Sequence, residues 1–358
     1  MAIKYLGSKR ALVDTIGRIA EATGAEDAID LFTGTTRVAQ ALKSRGIAVT
    51  AVDLASYSEV LAACYIATDA RAIDEAELAT ALTELAALPG VRGYVTSTFC
   101  EQARYFQPKN GARIDAIRDA IEAGWWGSAL YPILLTALLE AADRVDSTTG
   151  VQMAYLKQWA PRASNDLELR RPLLLDGPGR AIRGDATVLV DELPRTGFLY
   201  LDPPYNQHRY FTNYHVWETL VRWDAPEHYG VACKRVDSRD ESTKSVFNRR
   251  REMPVAMRDL VLRARADVVA VSYNDEAWIG TDDMVAALRD AGHEEVRVLA
   301  FDSKRYVGAQ IGIHNLAGEK VGRVSHLRNT EFIFVAGDRD RVEAAVAAAA
   351  VSPATAAG

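Results

Sequence analysis

The stretch Phe198-Leu199-Tyr200-Leu201-Asp202-Pro203-Pro204-Tyr205 decides how the rest of the chain is read. Four apolar residues in succession form the core of a buried strand. They end at a carboxylate, two prolines without N–H donors and an aromatic ring. Consecutive prolines keep the residues before them extended and remove competing donors. Where strands run parallel in an open sheet, their carboxyl ends face the ligand crevice. Asp202 is therefore expected at a crevice, with the Pro203 carbonyl beside it and the Tyr205 ring free to stack. The bland reading is a proline turn with Asp202 as a cap, so the flanking sequence must weigh between the two.

Six more runs have strand character: residues 28–32, 48–52, 180–184, 267–273, 295–301 and 331–336. Helical patterns at 35–45, 57–67 and 277–291 follow the first, second and fifth of the seven runs. Strands alternating with helices predict an α/β chain with a largely parallel sheet covered on both faces. No helical pattern separates the last two runs, which fits an antiparallel pair. Residues 68–175 interrupt the alternation with helical patterns at 75–88, 112–123, 129–145 and 151–158. This stretch predicts a helical insert between catalytic segments 1–67 and 176–341. Residues 342–358 form an Ala-rich tail that begins as a helix and frays past Pro353.

No stretch reaches the ~18 unbroken apolar residues of a membrane helix. Lys4, Lys9 and Arg10 lack a following apolar core, so no signal peptide is expected. Cys64, Cys100 and Cys233 are far apart and odd in number, which fits reduced thiols in a cytosol and no metal site. The net charge is −6, yet residues 234–265 hold ten Lys/Arg against five Asp/Glu, an excess of +5. An acidic body with one basic face is compatible with DNA. A solvated charged surface is the plainer reading of that segment taken alone.

The first strand runs into Asp30-Leu31-Phe32-Thr33-Gly34-Thr35, where Gly34 lets a ligand approach the backbone. The second ends at Asp53, 19 residues after Gly34, with Leu54 beside it. An acid about twenty residues after a glycine loop suits ribose hydroxyls. The loop has neither G-x-G-x-x-G nor G-K-[ST], so a nucleoside without phosphates, such as S-adenosylmethionine, fits better than a dinucleotide. Asp202 and the Pro203 carbonyl supply two acceptors for the hydrogens of an exocyclic amine. Adenine N6 is a poor nucleophile because its lone pair is delocalised, and two acceptors free that lone pair. Positioning and preorganised dipoles then suffice for in-line methyl transfer.

The set Tyr5-Leu6-Gly7-Ser8-Lys9, Asp30 to Thr35, Asp53 and Asp202-Pro203-Pro204-Tyr205 resembles the adenine-N6 DNA methyltransferases of the Dam-like, alpha-ordered group. Asn213-Tyr214-His215-Val216-Trp217-Glu218-Thr219, Val271-Ser272-Tyr273-Asn274, Thr149-Gly150-Val151 and Ser325-His326-Leu327-Arg328-Asn329 are similar to the FokI and NlaIII type modification methylases. The resemblance covers almost the whole chain. It implies a Rossmann-like S-adenosylmethionine-dependent methyltransferase sheet of about seven strands with an inserted helical domain. Tyr5, Gly7 and Lys9 match the N-terminal cofactor motif, with Lys9 near the methionine carboxylate. Asp30, Phe32, Gly34 and Thr35 match the cofactor loop, Asp53 the ribose ligand, and Asp185 an adenine contact. The family usually has a second glycine where this chain has Thr36. Thr35 and Thr36 hydroxyls are expected to compensate by capping the following helix.

The implied substrate is double-stranded DNA, from which the target base must be flipped out. Candidate DNA contacts are His208, Arg209, Tyr210, Asn213, Tyr214, His215, Lys234, Arg235, Arg249, Arg250 and Arg251, within a basic segment spanning 206–265. The insert adds Arg104, Lys109, Asn110 and Arg113. A separate cognate restriction endonuclease is the expected partner, and a bacterial or phage-encoded cytoplasmic protein the expected setting. The tetrapeptide alone also suits cytosine N4, an RNA adenine or a protein glutamine amide, and a relative that binds DNA without catalysis is a further alternative.

Overall fold

The computed structural model of the chain describes residues 3–5, 9–204, 209–304 and 328–350. Its strands are β1 (Asp27–Asp30), β2 (Ala48–Asp53), β3 (Gly179–Arg183), β4 (Thr196–Leu201), β5 (His228–Tyr229), β6 (Lys234–Arg235), β7 (Ala266–Asn274), β8 (Glu295–Lys304) and β9 (Arg328–Gly337). Seven of them form one sheet in the order β3-β2-β1-β4-β7-β9-β8, and β5 and β6 form a separate hairpin. β1 pairs parallel with β2 and β4, β2 with β3, and β4 with β7. β9 runs antiparallel to both neighbours, β7 and β8. The sheet is the Rossmann-like one expected, and its strands β8 and β9 pair antiparallel, as expected for the last two runs.

Strand alternation divides the apolar residues between two cores. From β4 and β7, Phe198, Tyr200, Val268 and Ala270 enter one core. Leu199, Leu201, Val269 and Val271 enter the other. Both faces are thus dry, and the strands read as continuous apolar runs. α1 (Val13–Ala22), α2 (Arg37–Lys43) and α3 (Ser56–Ala62) cover the first face, and α7 (Ala186–Leu189), α10 (Met253–Arg263) and α11 (Thr281–Asp290) the second. Between them in sequence lie α4 (Glu75–Ala87), α5 (Pro108–Trp125) and α6 (Tyr131–Val145), then α8 (Tyr210–Asn213) and α9 (His215–Arg222). α12 (Arg339–Ala350) ends the described chain. No described helix is long and apolar enough to cross a membrane.

The helices of residues 68–175 share the first face's core: Leu78, Leu85, Ile114, Ile117, Leu134 and Leu138 belong to the same buried cluster as Phe198 and Tyr200. One pattern in this stretch fails as a helix. Residues 151–158 are turns and irregular chain. The side chain there that organises structure is polar. Gln152 Oε1 accepts from the Val216 and Trp217 amides at 3.1 and 3.3 Å, which satisfies the start of α9. The Ala-rich tail begins as a helix. Its first part is α12, with Val342 and Ala345 buried in the core. The Ala348 carbonyl accepts from Arg18 Nε at 3.2 Å, tying α12 to α1.

Arg118 on α5 shows how the insert is fastened. It is buried, and its Nε donates to the Leu220 carbonyl at 2.7 Å and its Nη2 to the Val221 carbonyl at 3.1 Å. These are carbonyls at the C-terminus of α9, which have no intrahelical partner. Arg118→Ala leaves them buried and unpaired and opens a cavity. It is expected to cost about 3 kcal/mol in urea unfolding. A loss below ~0.5 kcal/mol would contradict the fastening role.

Candidate active site

β2, β1, β4 and β3 end at the same edge of the sheet, and a cavity of about 460 Å³ lies there. That is within the usual range of small-molecule sites, about 300–1,000 Å³. Its lining brings together Tyr5, Lys9, Asp30, Phe32, Gly34, Thr35, Asp53, Leu54, Asp185, Asp202, Pro203 and Pro204. Every one of these is a residue singled out from the sequence. Gly7, Tyr205 and His208 lie outside the described residues.

Asp202 follows β4 directly. Lys9 Nζ sits 3.3 Å from its Oδ1 and 2.9 Å from Glu331 Oε2 on β9. Burial pushes the Asp202 carboxyl up to about 6, and the neighbouring Lys9 restrains that rise. Lys9 is 7% exposed and holds two carboxylates, so its charge is spent inside the protein. Lys9 therefore anchors Asp202. The resemblance had placed it at a ligand carboxylate. Behind Asp202, Tyr200 Oη donates to Ser272 Oγ on β7 at 2.7 Å, which pins the strand end.

Asp30 closes β1. Its Oδ2 accepts from Thr33 Oγ1 at 3.0 Å, while its Oδ1 is buried with no hydrogen-bond partner. Burial pushes its carboxyl up to about 7, and the nearby Asp202 and Asp53 add to the rise. Asp53 closes β2. Its Oδ2 accepts from the Gly34 amide at 2.8 Å and its Oδ1 from the Ala55 amide at 3.0 Å. One carboxylate thus holds the glycine loop of β1 against the end of β2, while still lining the cavity. Gly34 has φ +52°, and a Cβ there would stand 3.1 Å from Tyr5 Cε1. Only glycine meets both demands without strain.

Tyr5 joins an aromatic stack. Its ring lies 5.2 Å from Tyr210 and 4.7 Å from Tyr214, and Tyr214 stacks on Trp217 at 4.6 Å. Its hydroxyl meets that of Tyr57 at 3.1 Å. At the β3 end, Asp185 Oδ1 accepts from the Thr187 amide at 2.8 Å and caps α7. Thr36 corrects an expectation. It takes a left-handed conformation, φ +61°, at the N-cap of α2, the backbone state a second glycine would occupy freely. Its hydroxyl does not cap the helix. It donates to the Thr35 carbonyl at 2.7 Å and accepts from Gln40 Nε2 at 2.8 Å. Thr36 is buried and absent from the cavity wall, so the departure from glycine changes the loop's strain and leaves the pocket's shape alone.

Several expected DNA contacts are buried instead. Arg235 is 1% exposed, with Nη2 2.6 Å from Asp224 Oδ2 and 2.7 Å from Asp237 Oδ2. Asn213, Tyr214 and His215 are buried. His215 Nε2 lies 3.0 Å from the Gln152 carbonyl, and burial pushes its ring down to about 3, so it is neutral. Asn110 is buried too, donating to the Asn165 carbonyl at 2.9 Å. Half of the ten Lys/Arg of 234–265 pair with acids. Arg249 pairs with Glu241 and Glu252, Arg258 with Asp290, and Arg263 with Asp191 and Asp259. Lys109 pairs with Asp166, Arg104 donates to the Lys157 carbonyl, and Arg113 donates to the Ala86 carbonyl. Arg209, Arg250 and Arg251 are exposed, and Lys234 and Tyr210 are half-buried. The cavity also uses residues that pattern alone does not flag: Arg37, Arg183, Arg222 and Phe247, whose ring meets Phe32 edge-on at 5.1 Å.

Comparison with known proteins agrees with this geometry. The family model of the D12 class N6 adenine-specific DNA methyltransferases matches residues 5–280. The modification methylase StsI of Streptococcus sanguinis is 30% identical over 307 residues, covering 80% of this chain and 46% of that protein. The type II methyltransferase M.FokI of Planomicrobium okeanokoites is 28% identical over 329 residues, covering 85% and 50%. The type II methyltransferase M.NlaIII of Neisseria lactamica is 30% identical over 290 residues, covering 76% and 84%. The chain thus spans about half the length of the first two relatives and most of the third.

Gly34→Ala forces a Cβ into the left-handed region and toward the Tyr5 ring. It is expected to cost about 1–2 kcal/mol in thermal or urea unfolding. It should also weaken binding of S-adenosylmethionine, the cofactor expected from the sequence, about tenfold in calorimetry, because the loop must shift. Unchanged stability and affinity would contradict the close packing described here.

Proposed function

Because the chain belongs to the family of D12 class N6 adenine-specific DNA methyltransferases, we propose that it transfers a methyl group from S-adenosylmethionine to N6 of adenine at a defined site in double-stranded DNA. The observation that carries this reading is the meeting of Asp202, Asp30 and Asp53 in one cavity, at the ends of three adjacent parallel strands. The cavity fits the cofactor by its chemistry. Asp30 offers a buried oxygen without a partner, suited to an ammonium, and Asp53 faces the cavity beside the glycine loop. Asp30, Phe32, Gly34, Thr35, Asp53, Leu54 and Asp185 would hold it. When bound, S-adenosylmethionine supplies an electrophilic methyl group on its sulfonium.

The chain's own part is to prepare the amine. Asp202 accepts one N6–H, and the Pro203 carbonyl accepts the other. The nitrogen lone pair is then drawn out of conjugation and aimed at the methyl. Asp202, already tuned upward by burial, takes the proton that the methylated nitrogen sheds. A base inside a duplex must be flipped to reach this cavity, at a cost of a few kcal/mol. Phosphate contacts would offset that cost, and Arg209, Arg250 and Arg251, which are exposed, are the cations proposed to make them. The biological setting proposed is modification alongside a separate restriction endonuclease.

Incubation with duplex DNA of diverse sequence and labelled S-adenosylmethionine, then digestion to nucleosides, should yield N6-methyladenine. Label in N4-methylcytosine, or in RNA or protein but not DNA, would contradict the proposal. Asp202→Ala should slow transfer by about 10³-fold or more with the fold unchanged.

The pH dependence follows from the same carboxyl. Transfer needs Asp202 as an acceptor, so single-turnover rates should fall as pH drops through about 6. Lys9→Met removes the cation that lowers this value, so the acid limb should move to higher pH. A limb that stays put, or moves down, would contradict the Lys9–Asp202 coupling.

A further inference from the structure

Four described cations line the cavity: Lys9, Arg37, Arg183 and Arg222. Three already have partners. Lys9 holds Asp202 and Glu331. Arg183 donates to Ser56 Oγ at 2.8 Å and faces Glu59 at 3.6 Å. Arg222 pairs with Asp224 and Asp237. Arg37 has no hydrogen bond or ion pair among the described residues, and its Nε is buried without an acceptor. A buried guanidinium N–H without a partner carries a desolvation cost that a bound anion removes.

Arg37 lies seven residues after Asp30, across the glycine loop, and both line the same cavity. The two carry matched orphan atoms: a carboxylate oxygen lacking a donor and a guanidinium nitrogen lacking an acceptor. One ligand end satisfies both at once, namely an α-amino acid with its ammonium and carboxylate. We propose that Arg37 grips the α-carboxylate at the methionine end of S-adenosylmethionine, while Asp30 takes its ammonium. This rests on reading the cavity as an S-adenosylmethionine site. It reassigns to Arg37 the carboxylate contact that the sequence resemblance gives to Lys9, which is occupied by Asp202 and Glu331.

The test is calorimetric binding to the full chain of S-adenosylmethionine and of its decarboxylated form, which keeps the adenosine, sulfonium and amine. The wild-type chain should prefer the carboxylated ligand by about 30-fold, the worth of a charge-assisted hydrogen bond. Arg37→Ala should lose that preference and bind the decarboxylated ligand as the wild type does. Arg37→Lys should recover part of it, and circular dichroism should show each variant folded. Equal wild-type affinity for the two ligands overturns the assignment without any variant. So does an Arg37→Ala variant that weakens both ligands alike, or one that weakens neither and only lowers affinity for duplex DNA. If the wild type binds neither ligand, the cofactor reading itself fails, a result distinct from loss of the preference.

Discussion

One ammonium shared by two carboxylates holds the site together. Lys9 reaches Asp202 from the N-terminal segment and Glu331 from β9. Three parts of the chain far apart in sequence therefore meet at one charge. Because Lys9 is almost fully buried, water cannot replace either partner. Removing Lys9 leaves two desolvated carboxylates facing each other, which costs several kcal/mol. The position of Asp202 thus depends on residues 9 and 331 as much as on the prolines that follow it.

The surrounding electrostatics follow from the same constraint. Asp30, Asp53 and Asp202 crowd one cavity, and burial raises all three carboxyls. A cationic ligand relieves that crowding, which is why a sulfonium with an ammonium suits the cavity better than a phosphate. Outside the cavity the logic reverses. Four of the eight arginines of residues 234–265 pair with acids, so the surface left for a polyanion is smaller than the charge count suggests. Arg235 in particular braces the β5–β6 hairpin against the end of α9 through Asp224 and Asp237.

The sheet and the cavity are largely legible in the sequence, for physical reasons. Strands buried on both faces are near-continuous apolar runs, and each of the seven ends within a few residues of a Gly, Asp or Pro that closes it. The ligand-facing residues sit at those ends, so locating the strands also locates Asp30, Asp53 and Asp202. What is not legible is pairing at long range. Arg235 and His215 are polar by type, and only the fold reveals that Asp224 and Gln152 bury them. Residues 151–158 have helical spacing, yet Gln152 is claimed by contacts around the start of α9, through its side chain to the Val216 and Trp217 amides and through its backbone to Asn213 and His215. Glu331 reads as the first residue of a strand, although an acid at the mouth of an apolar run is the one signal that it faces a charge. Thr36 is visible as a departure from glycine, but its left-handed backbone is not.

The most direct measurement of the central claim is a carbon-13 NMR titration of the Asp202 carboxyl in the cofactor-free chain, compared with Glu331→Gln. A midpoint near 6 is predicted, falling in the variant because the repelling charge of Glu331 is gone and Lys9 turns wholly to Asp202. An ordinary carboxylate midpoint near 4, unchanged by Glu331→Gln, would mean that Asp202 is solvated and unshared, and would contradict the account.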